Sequence, residues 1–225
     1  MSLVSYTVSN SPIHFAQLWL TEALARAMAV RDGATCDHAR RVQKHALTLA
    51  RQAGVTDQAA LGAIGPAALL HDVGKLAIPD RLLDKPGPLT RAEYAIVQQH
   101  AVIGSDILTA AGFPGAVALI VRHHHERWDG SGYPDGLRGE SIPVVARVLA
   151  IVDCYDALMS DRPYRRALSH GRAVKMIAEQ RAIMYDPAIT DVFLRVVERL
   201  RVGHARAHGA PLEPYPAERP HVRAV

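Results

Sequence analysis

The sequence predicts an all-α fold of about seven to eight helices with two long functional loops. Three observations carry this. Apolar residues recur at helical spacing along almost the whole chain. Alternation of polar and apolar residues over a strand length is absent, as are hairpin signals between β-branched runs. Helix punctuation is explicit: Thr90-Arg91-Ala92-Glu93 has the pattern of a capping box, and Pro143 suits the first turn of a helix.

Taken in order, residues 15–31 read as a helix with Leu18, Ala25 and Met28 among its inward positions. Residues 36–53 follow, with Thr35 as N-cap, Val42, Leu49 and Ala53 on one stripe, and Gly54 as terminator. Residues 58–72 form a short, very apolar helix. The capping box opens a helix running to about Ala111, which Gly112-Phe113-Pro114-Gly115 breaks. Residues 115–126 make the next helix, and a long one runs from Pro143 to about Ser160. Residues 170–184 and 188–202 close the bundle, separated by Asp186-Pro187. The two loops are 73–89, with Pro79, Pro86, Gly87 and Pro88, and 127–141, with Gly130, Gly132, Pro134, Gly136 and Gly139. Loops this long are unusual in a compact domain and are often functional. The stretch 203–225 carries Pro211, Pro214, Pro216 and Pro220 with little apolar content and reads as poorly ordered.

A chain of 225 residues with 49% apolar content has enough material for one proper core. Its net charge of +4 and pI near 9.3 suit an anionic substrate. They do not make a nucleic-acid footprint, because 26 Lys and Arg alternate with 22 Asp and Glu and form no long run. Cys36 and Cys154 give no disulfide framework. Residues 1–15 lack the basic start and apolar core of a signal peptide, and the longest apolar stretches are far too short to span a bilayer. The expected location is therefore cytoplasmic, with no membrane partner.

The chemistry lies in His38, His71, Asp72, His100, His124, His125 and Asp153: five imidazoles and two carboxylates on successive helices. This exceeds what one small ion takes from protein while keeping a place for substrate, and it suits two adjacent ions. Asp72, paired with His71 at a helix end, can give one oxygen to each ion. Asp153 lies in the apolar stretch Val144–Leu158, where a buried carboxylate is costly unless paired or bound to metal. Adjacent helical residues point about 100° apart, so His124 and His125 can serve one ion only near a helix end. His123 would then point elsewhere. Mixed imidazole and carboxylate ligands without thiolate suit Mn, Fe, Co, Ni or Zn. A lone buried histidine is usually structural, so His14, His45, His170, His204, His208 and His221 take no role. Cys36 and Cys154 read as packing thiols. Trp128 and Tyr133 suit loop packing and base stacking equally.

These residues also carry a family resemblance. His71-Asp72-Val73-Gly74-Lys75 resembles the signature of HD-domain metal phosphohydrolases. His124-His125-Glu126-Arg127-Trp128-Asp129-Gly130-Ser131-Gly132-Tyr133-Pro134 resembles the HHExxDGxGYP signature of the HD-GYP family. Ile78-Pro79-Asp80, Lys85-Pro86-Gly87 and Asp161-Arg162-Pro163-Tyr164-Arg165 fit it as well. The resemblance implies an HD-type helical bundle, with residues 1–31 as a helical segment and 32–202 as the catalytic domain. It implies a bacterial second-messenger phosphodiesterase that hydrolyses cyclic di-GMP to linear pGpG or to GMP. It implies a di- or tri-metal centre, commonly iron or manganese, with the seven residues above as ligands and Asp72 central to catalysis. Lys75, Tyr133, Arg162 and Arg165 fall where the family contacts substrate, Arg165 standing where a lysine is common. Some members carry a glutamate four residues before the first histidine that helps hold a third ion. Ala34 stands there, which favours two divalent ions.

Two other functions compete: a phosphohydrolase for another nucleotide, and a non-hydrolytic module that binds cyclic di-GMP or a protein partner. A degenerate member should have lost ligands, and none is missing from the binuclear set. The apolar first helix leaves a homodimer or a signalling-protein partner open.

Overall fold

The computed structural model of the chain describes residues 12–31, 35–161 and 166–201. Among them are nine α-helices and no strand, only an isolated bridge between Arg181 and Tyr185. The helices are α1 (Pro12–Arg31), α2 (Thr35–Gln52), α3 (Gln58–Leu70), α4 (Asp80–Leu83), α5 (Arg91–Ala110), α6 (Gly115–His123), α7 (Val144–Met159), α8 (His170–Glu179) and α9 (Pro187–Arg201). Two 3-10 turns, Val73–Ala77 and Gly139–Ser141, interrupt the loops. None of the described helices is long and apolar enough to cross a membrane.

Sequence pattern explains the layout. α7 is apolar on nearly every side, and such a helix belongs in the middle of a bundle. It is buried from Val145 to Ala157 on most of its surface and packs on α2, α3, α6, α8 and α9. α2 places Val42, Ala46, Leu49 and Ala50 on one fully buried stripe against α3, α7 and α9. The core closes around Ile64, Leu70, Val121, Leu149, Tyr155 and Phe193.

The capping box is present: Thr90 Oγ1 accepts from the Glu93 amide at 3.3 Å, and Glu93 Oε2 accepts from the Thr90 amide at 2.7 Å. Such a cap contributes about 1 kcal/mol and fixes where α5 begins. Several expectations need correction. Leu18 is exposed, not inward, because α1 turns Thr21, Ala25 and Met28 to the core. The loop 73–89 holds the 3-10 turn and the one-turn α4, nucleated by Asp80 after Pro79. α3 stops at Leu70, and α8 stops at Glu179. The stretch 203–225, expected to be poorly ordered, lies outside the described residues.

One contact sets the site. A side chain at Gly74 would place its Cβ 2.0 Å from the His100 carbonyl oxygen and 2.6 Å from the Gly104 amide nitrogen. Only glycine lets the turn after Asp72 lie directly on α5. Gly74→Ala is expected to destabilise the fold by about 3 kcal/mol, the cost of overpacking a closed contact. Urea unfolding measures this, and an unchanged midpoint would refute the account of this contact.

Candidate metal centre

Each of the seven candidate side chains is held by a helix or a helix end. His38 is near the start of α2, and His71 is the residue that ends α3. Asp72 leads into the 3-10 turn, and His100 sits midway along α5. α6 ends at His123, so His124 and His125 leave the helix together with ring centroids 4.0 Å apart. That is the relaxation two neighbouring histidines need to face one point. Asp153 lies in α7 and is buried.

The structure gathers six of them into two clusters: His38, His71 and Asp153, and His100, His124 and His125. Asp72 stands between. Its Oδ2 is 3.5 Å from His71 Nε2 and its Oδ1 is 3.6 Å from His100 Nε2. Asp153 Oδ1 is 3.1 Å from His38 Nε2 and 3.6 Å from His71 Nε2. Donor atoms bound to one ion at about 2.1 Å are about 3.0–3.5 Å apart, so these spacings fit shared ions.

Hydrogen bonding on the far side of the rings supports the same fit. Nδ1 of His71, His100 and His124 lies 2.8, 2.7 and 2.6 Å from the carbonyls of Ala68, Val97 and Val121. A carbonyl can only accept, so each Nδ1 carries the proton and each Nε2 turns a lone pair inward. Nε2 of His100 and His124 and Oδ1 of Asp153 are buried with no hydrogen-bond partner. Buried lone pairs facing each other without a proton are costly, and a cation relieves them.

The electrostatics agree. Burial, with the neighbouring imidazoles, pushes His124 down to about 3 and His125 well below its ordinary value. Burial likewise lowers His100. Burial disfavours the charged forms of Asp72 and Asp153, yet their cationic and imidazole neighbours hold both below the usual carboxylate range. Burial alone would lower His38, but its bonds to Asp153 and Asp156 outweigh it and raise it to about 9. Between His38 and Asp153 something positive must sit: a proton when no ion is there, a metal when one is.

Lys75 Nζ is 2.8 Å from Asp72 Oδ2, at the edge of both clusters. Tyr133 stacks at a tilt on His125, 4.9 Å between centroids, and meets the Tyr94 ring edge to face at 6.2 Å. Its amide reaches the His125 carbonyl at 3.3 Å. Gly132 makes this possible, since a Cβ there would lie 2.3 Å from the Arg127 amide nitrogen. Trp128 packs under the Arg147 guanidinium, 5.8 Å from its centroid, and its amide bonds the Met184 carbonyl. Arg162, Arg165 and Ala34 lie outside the described residues.

His123 turns away to Asp135 at 2.9 Å, as expected, and His170 bridges Tyr155 and Glu198. Sequence reasoning missed Asp156, whose Oδ2 is 2.7 Å from His38 Nδ1, and Arg41, which grips that carboxylate. The available signal was Asp153 and Asp156 at a spacing of three in an apolar helix, which places both on one face. Tyr94 carried no signal of its own.

Fold and site together define a helical domain built around paired histidine and aspartate metal clusters. Residues 22–189 match the family described as HD domain. The chain is 44% identical over 174 residues to the cyclic di-GMP phosphodiesterase response regulator RpfG of Xanthomonas campestris, covering 76% of this chain and 46% of that protein. It is 38% identical to a cyclic di-GMP phosphodiesterase of Thermotoga maritima, over 80% of this chain and 49% of that one. It is 34% identical to a 3'3'-cGAMP-specific phosphodiesterase of Vibrio cholerae, over 82% and 42%. The chain thus spans about half the length of these relatives or less. Among solved structures it is similar to a cyclic GMP-AMP phosphodiesterase of V. cholerae, at TM-score 0.65 and 20% identity, over 85% of this chain and 51% of that one. An HD-GYP-type protein of Bdellovibrio bacteriovorus matches at TM-score 0.60 and 19% identity, over 81% and 63%. The chain belongs to the HD-domain family, in its HD-GYP branch.

Protein prepared with metal supplied is expected to hold about two transition ions per chain. Asp72→Ala is expected to loosen both, since one oxygen faces each cluster, and to keep its helical circular dichroism. Elemental analysis after dialysis checks this. Three tightly held ions, or two retained by Asp72→Ala, would overturn the bridging assignment.

Proposed function

We propose that the chain is a metal-dependent phosphodiesterase that hydrolyses cyclic di-GMP to linear pGpG or to GMP. The carrying observation is the pair of clusters joined by Asp72, with inward lone pairs on His100, His124 and Asp153. The names of relatives at 38–44% identity support the substrate. The proposed ligands are His38, His71, Asp72 and Asp153 at one ion, and Asp72, His100, His124 and His125 at the other. Iron or manganese is the proposed occupant, and the thiolate-free set suits either. The proposed catalytic unit is residues 32–202, behind a helical segment 1–31, working in the cytoplasm.

When bound, two adjacent ions activate water for attack and neutralise charge developing on the phosphate. The protein's part is positioning. Asp72, with one oxygen toward each cluster, would hold both ions. Lys75, held beside Asp72, is assigned to a phosphate oxygen, and Arg162 and Arg165 are assigned to the phosphates with it. The loop from Gly130 to Gly139 forms one wall, and Tyr133 offers the flat surface nearest the ions. A second reading, cleavage of 3'3'-cGAMP, rests on relatives at 31–37% identity that carry that name. Chromatography of products from each dinucleotide, with Mn(II) or with Fe(II) under anaerobic conditions, separates the two. No turnover of either in the metal-loaded protein would end the proposal.

Lys75→Ala is expected to lower kcat/KM on cyclic di-GMP by about 10–100-fold, the worth of one charged hydrogen bond. Metal content should stay at the wild-type level, and its loss would make Lys75 a support for the centre instead. Tyr133→Ala is expected to lower activity on cyclic di-GMP by about one to two decades, since base stacking is worth ~1–3 kcal/mol. Cleavage of bis-p-nitrophenyl phosphate, which has no guanine, should change much less. Equal losses on both substrates would show that Tyr133 supports His125 and does not select the substrate.

A further inference from the structure

The two clusters are built from different materials. One consists of three imidazoles, His100, His124 and His125. The other contains the Asp153 carboxylate, and a further carboxylate stands directly behind its histidine. His38 Nδ1 faces Asp156 Oδ2 at 2.7 Å, whereas His71, His100 and His124 rest on neutral carbonyls three residues back. Asp156 is wholly buried.

Asp156 is also fixed. Arg41 Nε donates to its Oδ1 at 2.8 Å and Arg41 Nη2 to its Oδ2 at 2.9 Å, a two-pronged grip that sets the carboxylate plane. Nη2 also reaches Ser160 Oγ at 3.1 Å, at the end of α7. An ion pair serving packing alone would be complete with Arg41. Here the carboxylate also accepts from Ser160 Oγ at 3.4 Å and meets the imidazole at 2.7 Å, which aligns the ring and makes its Nε2 a stronger donor.

We propose that Asp156, locked by Arg41, is a positioning residue that makes the His38–His71–Asp153 position the tighter of two unequal ion positions. The inference rests on the metal-centre reading and deepens it. This position has the Asp153 carboxylate as a direct donor and a carboxylate-backed imidazole, where the other has three imidazoles; Asp72 is common to both, and Arg41 and Lys75 offset part of the charge on Asp156 and Asp72. A divalent ion is therefore held more strongly beside His38, and the ion beside His100 exchanges first.

Equilibrium dialysis of the full chain against Mn(II), with elemental analysis, tests this without any nucleotide. Wild-type protein is expected to fill in two steps, and His100→Ala to lose the weaker. Asp156→Asn keeps the shape but not the charge, and its NH2 group cannot accept from Arg41 Nε as Oδ1 does. It is expected to weaken the tight step by about 10–100-fold and leave the weak step in place. Arg41→Lys, which keeps the charge and loses the fork, is expected to show a smaller loss in the same step. The metal-free variants should keep wild-type circular dichroism, with a lowered thermal midpoint where the buried Asp156–Arg41 pair is broken.

A wild-type chain that gives up both ions to a chelator in one step overturns the proposal, whatever the variants do. So does an Asp156→Asn curve that superimposes on wild type. Equal weakening of both steps makes Asp156 a packing residue and overturns it too. Two unequal positions without turnover of cyclic di-GMP would end the substrate reading alone. Equal positions with turnover would end this one alone.

Discussion

Asp72 reaches both clusters because the chain just after it lies flat on the backbone of α5. Gly74 is what permits this, its absent side chain leaving the His100 carbonyl and the Gly104 amide within contact. Gly104 does the same from the other side, where a Cβ would come 3.1 Å from Val121 and 3.2 Å from the Gly74 amide nitrogen. The pair of glycines thus draws α3's end, α5 and α6 together at one level. His71, Asp72, His100 and His124 all arise from those three segments. The start of α5 is fixed as well, because Lys85 Nζ reaches Glu93 Oε2 at 2.6 Å while Glu93 caps the helix. The loop between Asp72 and α5 is therefore tied at both ends, and His100 cannot shift along the helix axis without breaking the cap.

Around that contact the protein gathers charge that the fold alone does not need. Asp72, Asp153 and Asp156 are buried carboxylates, matched by Lys75 and Arg41 and by His38, while burial lowers His124 and His125. Unsatisfied buried polar atoms cost about 1–3 kcal/mol each, and His100, His124 and Asp153 each have one within the two clusters. A packed core would dispose of them. Their persistence, with ring orientation enforced by carbonyls on the far side, is the arrangement of a site waiting for positive charge. The fold tolerates the cost because α2, α3, α6 and α7 have a closed apolar core beneath it.

Much of this was legible in the sequence because its signals are local. Helical spacing, the Thr90–Glu93 box and the glycine breaks each act within a few residues, so the helix order follows from them. The ligands were legible because histidine next to aspartate, or next to histidine, has no packing reason at a helix end. What escaped was tertiary. Leu18 has the right spacing for an inward residue, yet it faces solvent because nothing among the described elements packs over it. α8 ends at Glu179, three residues before Ala182 takes a φ of 62° that a right-handed helix cannot hold, and the turn that follows receives hydrogen bonds from the amides of Trp128 and Asp129 at the carbonyls of Met184 and Ile183. Asp156 looked like any acidic residue in a helix. Only the fold, by setting α7 beside α2, turns it toward His38.

The glycine-rich loop shows how little of the site is left free to move. Its first residues are bonded to the turn after α8, Asp129 Oδ1 accepts from the Ser131 amide at 2.9 Å, and the Asp135 amide donates to buried Glu126. Gly132 presses it onto Glu126 and Arg127, and the Tyr133 ring meets Tyr94 from α5. A chain rich in glycine would be flexible in isolation, but here glycine serves close approach. One face of the Tyr133 ring is already covered by His125, so a ligand base can meet only its other face or its edge. Recognition at this wall would come from a surface fixed before the ligand arrives. The same stack holds the His125 ring, so the loop also helps to orient one of the candidate ligands.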